Sequence, residues 1–202
     1  MDYALDAGVN FFDTAELYPV PATADTYADT ERIMGDWYAS RKNRDKVVLA
    51  TKIAGPGAYT AHIRTTGFTP NSIREALEGS LMRLKTDYID LYQLHWPERN
   101  ANFFVKRDYF PDADEQWQDN FQQILETLNG FIQEGKIRHI GLSNETPWGA
   151  MKYLALAEHK SLPRMKTIQN PYSLLNRTFE VGNAEVAHRE QLGLLAYSPM
   201  AF

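Results

Sequence analysis

Six short runs of β-branched and aliphatic residues each end in a side chain that can hold a ligand or move a proton. Val9 to Asp13 closes on a carboxylate, Val47 to Lys52 on an ammonium and Ile89 to His95 on an imidazole. Ile137 to Ser143 is followed by Asn144, Thr167 to Asn170 carries Gln169, and Leu194 to Ser198 carries Tyr197. Carboxylate, ammonium, imidazole and phenol are the groups of general acid–base catalysis, while hydroxyls and amides offer the donors and acceptors a polar ligand needs. Other chemistries lack their residues. Without cysteine there is no thiolate nucleophile and no Cys-based zinc site, and metal-ligand spacing is absent throughout. No Gly-x-Gly-x-x-Gly turn follows any run, which argues against a doubly wound dinucleotide fold.

The runs read as buried strands, and segments of helical spacing separate them. Ser72 to Leu84 stacks Ile73, Ala76, Leu77, Leu81 and Leu84 on one face, with Thr69-Pro70 as its start. Phe121 to Gln133 does the same with Ile124, Leu125, Leu128 and Ile132, and Gly135 follows as a stop. Alternation of this kind predicts parallel strands joined by right-handed helical crossovers, an α/β fold. Polar groups end every strand instead of gathering at one switch point, which favours the mouth of a (β/α)8 TIM barrel.

A whole barrel of that type has eight strands in about 250 residues. Six are counted here, so the expectation is a single barrel domain over residues 1–202, truncated to about six βα units, with the first and last strands absent. Met1 to Ala7 reads as the end of a helix, and Phe202 falls just after the sixth strand. Such a sheet would expose two edges and should associate, so an oligomer formed by swapping or pairing is the alternative to a piece of a longer protein. Pro19 to Asp29 and Trp96 to Asp119 break the rhythm and read as loops over the site. The second carries Phe103, Phe104, Tyr109, Phe110 and Trp117, which suits either a lid over an apolar substrate or packing against the rim. Glu31-Arg32, Glu75 with Glu78, and Arg83-Lys85 read as solvated helix faces.

With 44% hydrophobic and 23% charged residues the composition is that of a soluble globular domain. The 21 basic and 26 acidic residues leave a net charge of -5 with no Lys/Arg stripe, so neither nucleic acid nor an anionic membrane is an expected partner. No apolar run approaches bilayer length and no basic-then-apolar leader opens the chain. Absence of cysteine suits a reducing compartment, hence a cytoplasmic expectation.

The sequence resembles the aldo-keto reductases. Phe11-Phe12-Asp13-Thr14-Ala15-Glu16-Leu17-Tyr18, Ala50-Thr51-Lys52 and Asp87-Tyr88-Ile89-Asp90-Leu91-Tyr92-Gln93-Leu94-His95 carry the likeness. It continues through Gly141-Leu142-Ser143-Asn144, Ile168-Gln169-Asn170 and Ala196-Tyr197-Ser198-Pro199, in order across nearly the whole chain. Any one piece is weak; the ordered set is specific. It is similar in particular to the bacterial Tas-like and potassium-channel β-subunit branch.

The resemblance implies reduction of an aldehyde or ketone by hydride from NADPH, with NADH not excluded because the family's 2′-phosphate site falls beyond residue 202. It implies Tyr18 as general acid, Lys52 and Asp13 as its tuning pair, and His95 as the group that orients the carbonyl. It also implies that Ser143, Asn144 and Gln169 hold the nicotinamide carboxamide, that Tyr197 stacks on the ring, and that Ser198, Pro199 and Met200 lie along the pyrophosphate. The plain alternative for Ser143-Asn144 is helix capping before Thr146-Pro147, which is compatible with that role. Trp96 either walls the substrate pocket or is core. His62, His139, His159 and His188 read as ordinary histidines.

Elementary chemistry agrees with these assignments. Hydride addition builds negative charge on the carbonyl oxygen, so a proton donor must sit beside it. A free tyrosine titrates near ~10, and an ammonium about 4 Å from the phenolate contributes roughly 4 kcal/mol at an effective dielectric of 20, opposed by burial and by Asp13. In channel-subunit relatives the histidine position is often changed, so His95 favours catalysis. The competing reading is a cofactor-binding regulatory subunit with little or no turnover; a metal-dependent hydrolase would lack its ligands.

Overall fold

The computed structural model describes residues 1–104, 106 and 108–200; Val105, Arg107, Ala201 and Phe202 lie outside the described residues. Helix α1 (Asp2–Asp6) leads into β1 (Phe11–Asp13), α2 (Asp29–Arg41) and β2 (Val48–Ile53). Then come α3 (Pro70–Leu84), β3 (Ile89–Leu94), α4 (Phe121–Gln133), β4 (Ile137–Ser143), α5 (Pro147–Lys160), β5 (Met165–Pro171), α6 (Asn183–Arg189) and β6 (Gly193–Tyr197). The strands form one parallel sheet in sequence order, each beside its predecessor. Helices alternate with them, giving the six-strand, curled half-barrel form of the α/β TIM-barrel class.

Local signals explain the best-defined helices. Thr69 caps α3 by accepting from the Ser72 amide while Ser72 reaches back to the Thr69 amide, and Pro70 occupies the first turn. Its buried face is Ile73, Ala76, Leu77 and Leu84, with Leu81 only partly covered. In α4 the buried set is Phe121, Ile124, Leu125, Leu128 and Phe131, with Ile132 at its margin. Helices α2, α5 and α6 carry weaker apolar stripes: the buried residues of α5 include Gly149, Ala150 and Ala157, too small to mark a face in sequence.

The sheet curls strongly. Gln169 of β5 donates to Asp13 of β1 at 3.1 Å. In a flat sheet four strand spacings would separate them by roughly 19 Å. Every residue of β3 is buried, between helices outside and interior side chains inside, whereas no residue of β1 or β6 is.

Three expectations shift. The first strand begins at Phe11, leaving Val9 53% exposed. Glu31 and Arg83 are no solvated face: Glu31 is fully buried, its Oε1 accepting from Thr51 Oγ1 at 2.6 Å and its Oε2 from Arg83 Nε at 2.7 Å. The cause is close helix packing at Gly35, where a Cβ would lie 2.1 Å from the Arg83 carbonyl oxygen, turning Glu31 of α2 against β2. The aromatic residues after β3 divide: Trp117 packs edge-on against Phe121 at 5.6 Å, Phe103 and Phe104 turn toward Trp96, and Tyr109 and Phe110 are exposed. No described helix is long and apolar enough to cross a membrane.

Candidate active site

Asp13 ends β1, Lys52 stands one residue before the end of β2, and His95 follows β3 directly. All three therefore emerge at the C-terminal rim, where the strand pairing ends and loops begin. Lys52 is fully buried, and its ammonium donates to Asp13 Oδ2 at 2.5 Å and to the Thr14 carbonyl at 2.7 Å. The segment after β1 brings Tyr18 back over this pair: Lys52 Nζ lies 5.1 Å from the Tyr18 ring centroid. His95 meets Tyr18 edge to face, with centroids 5.7 Å apart at 79°. Phenol, ammonium, carboxylate and imidazole thus share one locale.

Burial governs their protonation. Desolvation raises the Tyr18 phenol to about 12, with the Asp13 charge and Tyr197 adding to the effect. It lowers Lys52, against the opposing pull of Asp13. His95 falls well below the ordinary histidine value, through burial first and the Lys52 charge second, so its ring is neutral at pH 7. Its Nδ1 is buried with no hydrogen-bond partner among the described residues.

On the other side lie Ser143 and Asn144, both buried. Asn144 adopts a left-handed backbone (φ 53) that turns its amide inward. Its Nδ2 donates to the His95 carbonyl at 2.9 Å and to Ser143 Oγ at 3.0 Å, and its Oδ1 accepts from the Tyr197 hydroxyl at 2.7 Å. The helix cap that follows is Thr146, whose Oγ1 accepts from the Gly149 amide, so Ser143 and Asn144 are not the cap. Burial raises Tyr197 to about 12, keeping its phenol a donor. Gln169 has one N–H on Asp13. This set suits a nicotinamide carboxamide: Ser143 keeps a hydroxyl proton to give, amide groups of both polarities converge, and a tyrosine ring is fixed by its hydroxyl beside them. Ser198, Pro199 and Met200 continue past β6, with Met200 92% exposed. Trp96 is 5% exposed, 4.9 Å from the His95 ring between centroids, with its Nε1 on the Pro56 carbonyl at 3.2 Å; Leu17 and Ala54 complete its cluster.

The aldo/keto reductase family model matches residues 1–202. The chain belongs to the aldo/keto reductase family. It is 46% identical to Protein tas of Escherichia coli (strain K12), across 100% of this chain and 59% of that protein. It is 38% identical to the uncharacterized oxidoreductase YrpG of Bacillus subtilis (strain 168), across 100% of this chain and 56% of the relative. Norsolorinic acid reductase B of Aspergillus parasiticus is 29% identical, across 98% of this chain and 46% of its own length. The chain thus spans between 46% and 59% of the length of these relatives.

In this aldo/keto reductase chain, several supporting residues escaped the sequence reading. Glu16, fully buried, accepts from the Ala54 amide at 2.5 Å and from the Arg64 guanidinium on both oxygens, clamping the segment that carries Tyr18. Arg99 grips Glu145 with two bonds, at 3.1 and 2.5 Å, while the Glu145 carbonyl accepts from Asn170 and Asn183, fixing the turn after Asn144. Ion pairs spaced 46 and 48 residues apart leave no local signal. Gln93 does leave one: a lone amide inside an otherwise tightly buried strand, and it donates to Asp13 Oδ1 at 3.0 Å.

Proposed function

We propose that the protein is an oxidoreductase that reduces an aldehyde or ketone to an alcohol, with a reduced nicotinamide cofactor, NADPH by family likeness, as hydride donor. The observation that carries the reading is the meeting of Tyr18, Lys52, Asp13 and His95 at one rim of the sheet. Ser143, Asn144 and Gln169 would hold the cofactor's carboxamide and Tyr197 would face its ring, and the bound group would supply the hydride. Ser198, Pro199 and Met200 would lie along its pyrophosphate, and Trp96 would line the substrate pocket.

The chain's own residues do the rest. His95, neutral, hydrogen-bonds the carbonyl oxygen and polarises it. As charge gathers there, the Tyr18 hydroxyl gives up its proton; an alkoxide is a far stronger base than a phenolate, so even a phenol near 12 transfers it downhill. Lys52, held by Asp13, faces the phenolate left behind and stabilises it. The raised phenol also keeps Tyr18 protonated through neutral and mildly alkaline pH. Reductive kcat should therefore stay nearly flat from about pH 6 to about pH 9, while the reverse oxidation, which needs the phenolate, climbs over the same range. Opposite limbs in the two directions would remove Tyr18 from the proton-transfer step.

Relatives named as reductases and an oxidoreductase support the reaction class. The test is consumption of NADPH, and of NADH in a second arm, with a panel of aromatic and aliphatic aldehydes, followed by absorbance of the reduced nicotinamide. Turnover with at least one aldehyde is expected. Tight cofactor binding with no oxidation by any of them would leave a regulatory, cofactor-sensing protein instead.

A further inference from the structure

Strand β3 buries one amide beside the Asp13 carboxylate, at a cost. All six of its residues are buried, yet Gln93 carries a side-chain Oε1 with no hydrogen-bond partner among the described residues. An orphaned acceptor destabilises a fold, and a leucine or methionine would fill the same space without that penalty. Room for the amide is made next door: Gly141 pairs with Gln93 across the sheet, and a Cβ on it would lie 3.4 Å from Gln93 Cγ and 2.2 Å from Thr167 Oγ1. What the amide gains is a single bond, its Nε2 on Asp13 Oδ1 at 3.0 Å.

That bond falls on the carboxylate holding the buried ammonium. Asp13 Oδ2 takes Lys52, while Oδ1 takes Gln93 and Gln169. A carboxylate bound through one oxygen alone can rotate about its Cβ–Cγ bond; a second anchor on the other oxygen stops it. Gln169 belongs to the cofactor-holding set, so its hydrogen bonds are shared with a ligand. Gln93 is fully buried and points at Asp13.

We propose that Gln93 is a positioning residue for the reduction: it locks Asp13 so that Lys52 stays aimed at Tyr18, and it acts only through Asp13. The inference rests on the proposed function and adds to it a residue outside the four reacting groups. A role in packing alone predicts something different, namely loss of stability on substitution with little selective effect on kcat.

The experiment is Gln93→Met, which keeps length and removes the donor, with Gln93→Leu beside it in case one variant packs badly. Melting temperature, cofactor Kd by tryptophan fluorescence, and steady-state kcat and KM are measured against wild type in parallel. Expected are an unchanged or higher melting temperature, Kd and KM within about twofold, and kcat down by about tenfold or more, as for a displaced reacting group. In an Asp13→Asn background the same substitution should change kcat by less than about twofold, because the residue through which Gln93 acts has already been altered. An unchanged kcat in both single variants overturns the inference. So does a loss of kcat matched by losses of stability and cofactor affinity, or full additivity with Asp13→Asn. A wild-type protein that binds cofactor and oxidises none of it overturns the proposed function, and the inference falls with it.

Discussion

His95 lies 5% exposed beside a lysine ammonium, and both surroundings favour the neutral ring. Its folded pKa is depressed, so as pH falls below about 6.5 the unfolded chain binds a proton that the folded chain refuses. Stability from this source is present above that pH and is lost as pH falls, at up to about 1.4 kcal/mol per pH unit. Melting temperature between about pH 7.5 and about pH 5 should drop more steeply for wild type than for His95→Asn, since carboxylate contributions are common to both. Equal slopes would mean that the ring is charged or open to water. The sequence made His95, Lys52 and Asp13 visible because each ends an apolar run, whereas Tyr18 stands five residues past Asp13 and came only with the family likeness. Glu16 with Arg64 was hidden because the two lie 48 residues apart and leave no local signal, whereas Gln93 stands out as a lone amide and only its pairing with Asp13 depends on the curl of the sheet.

Helices α2 and α3 approach until backbone meets backbone at Gly35. Alanine is the better helix former by about 1 kcal/mol, so an exposed Gly35→Ala would stabilise. Here its Cβ would stand 2.1 Å from the Arg83 carbonyl oxygen and 2.8 Å from the Leu84 carbonyl carbon, which cannot move without shifting α3. Urea denaturation should show Gly35→Ala less stable by about 1–3 kcal/mol; a stabilised variant would mean that the two helices pack differently. The same closeness explains why Glu31 was misread. Charged residues at helical spacing are ordinarily solvated, and only tertiary packing turned this one onto Thr51 and Arg83. Elements with broad apolar faces, α3 and α4, were legible nearly to the residue, while α2, α5 and α6 mix small or polar buried residues such as Glu31, Gly35, Gly149, Ala150 and Asn183 with their larger ones, which blurs the apolar stripe.

Across the whole molecule, strand order and alternation followed from the pattern of short apolar runs, and the barrel-type curl followed from polar residues ending each of them. The curl is what makes a site of residues far apart in sequence: Asp13 and Gln169, 156 positions apart, share a hydrogen bond, and Tyr197 reaches Asn144. Tyr18→Phe removes only the phenolic oxygen from this arrangement, leaving the ring, the Lys52–Asp13 pair and the amides that would hold the cofactor. Stopped-flow measurement of that variant beside wild type, with cofactor Kd taken from the same samples, should give a hydride-transfer rate lower by about 10²–10⁴-fold and a Kd within about twofold. A rate that survives the substitution, or a Kd that worsens as much as the rate, would contradict Tyr18 as the proton donor.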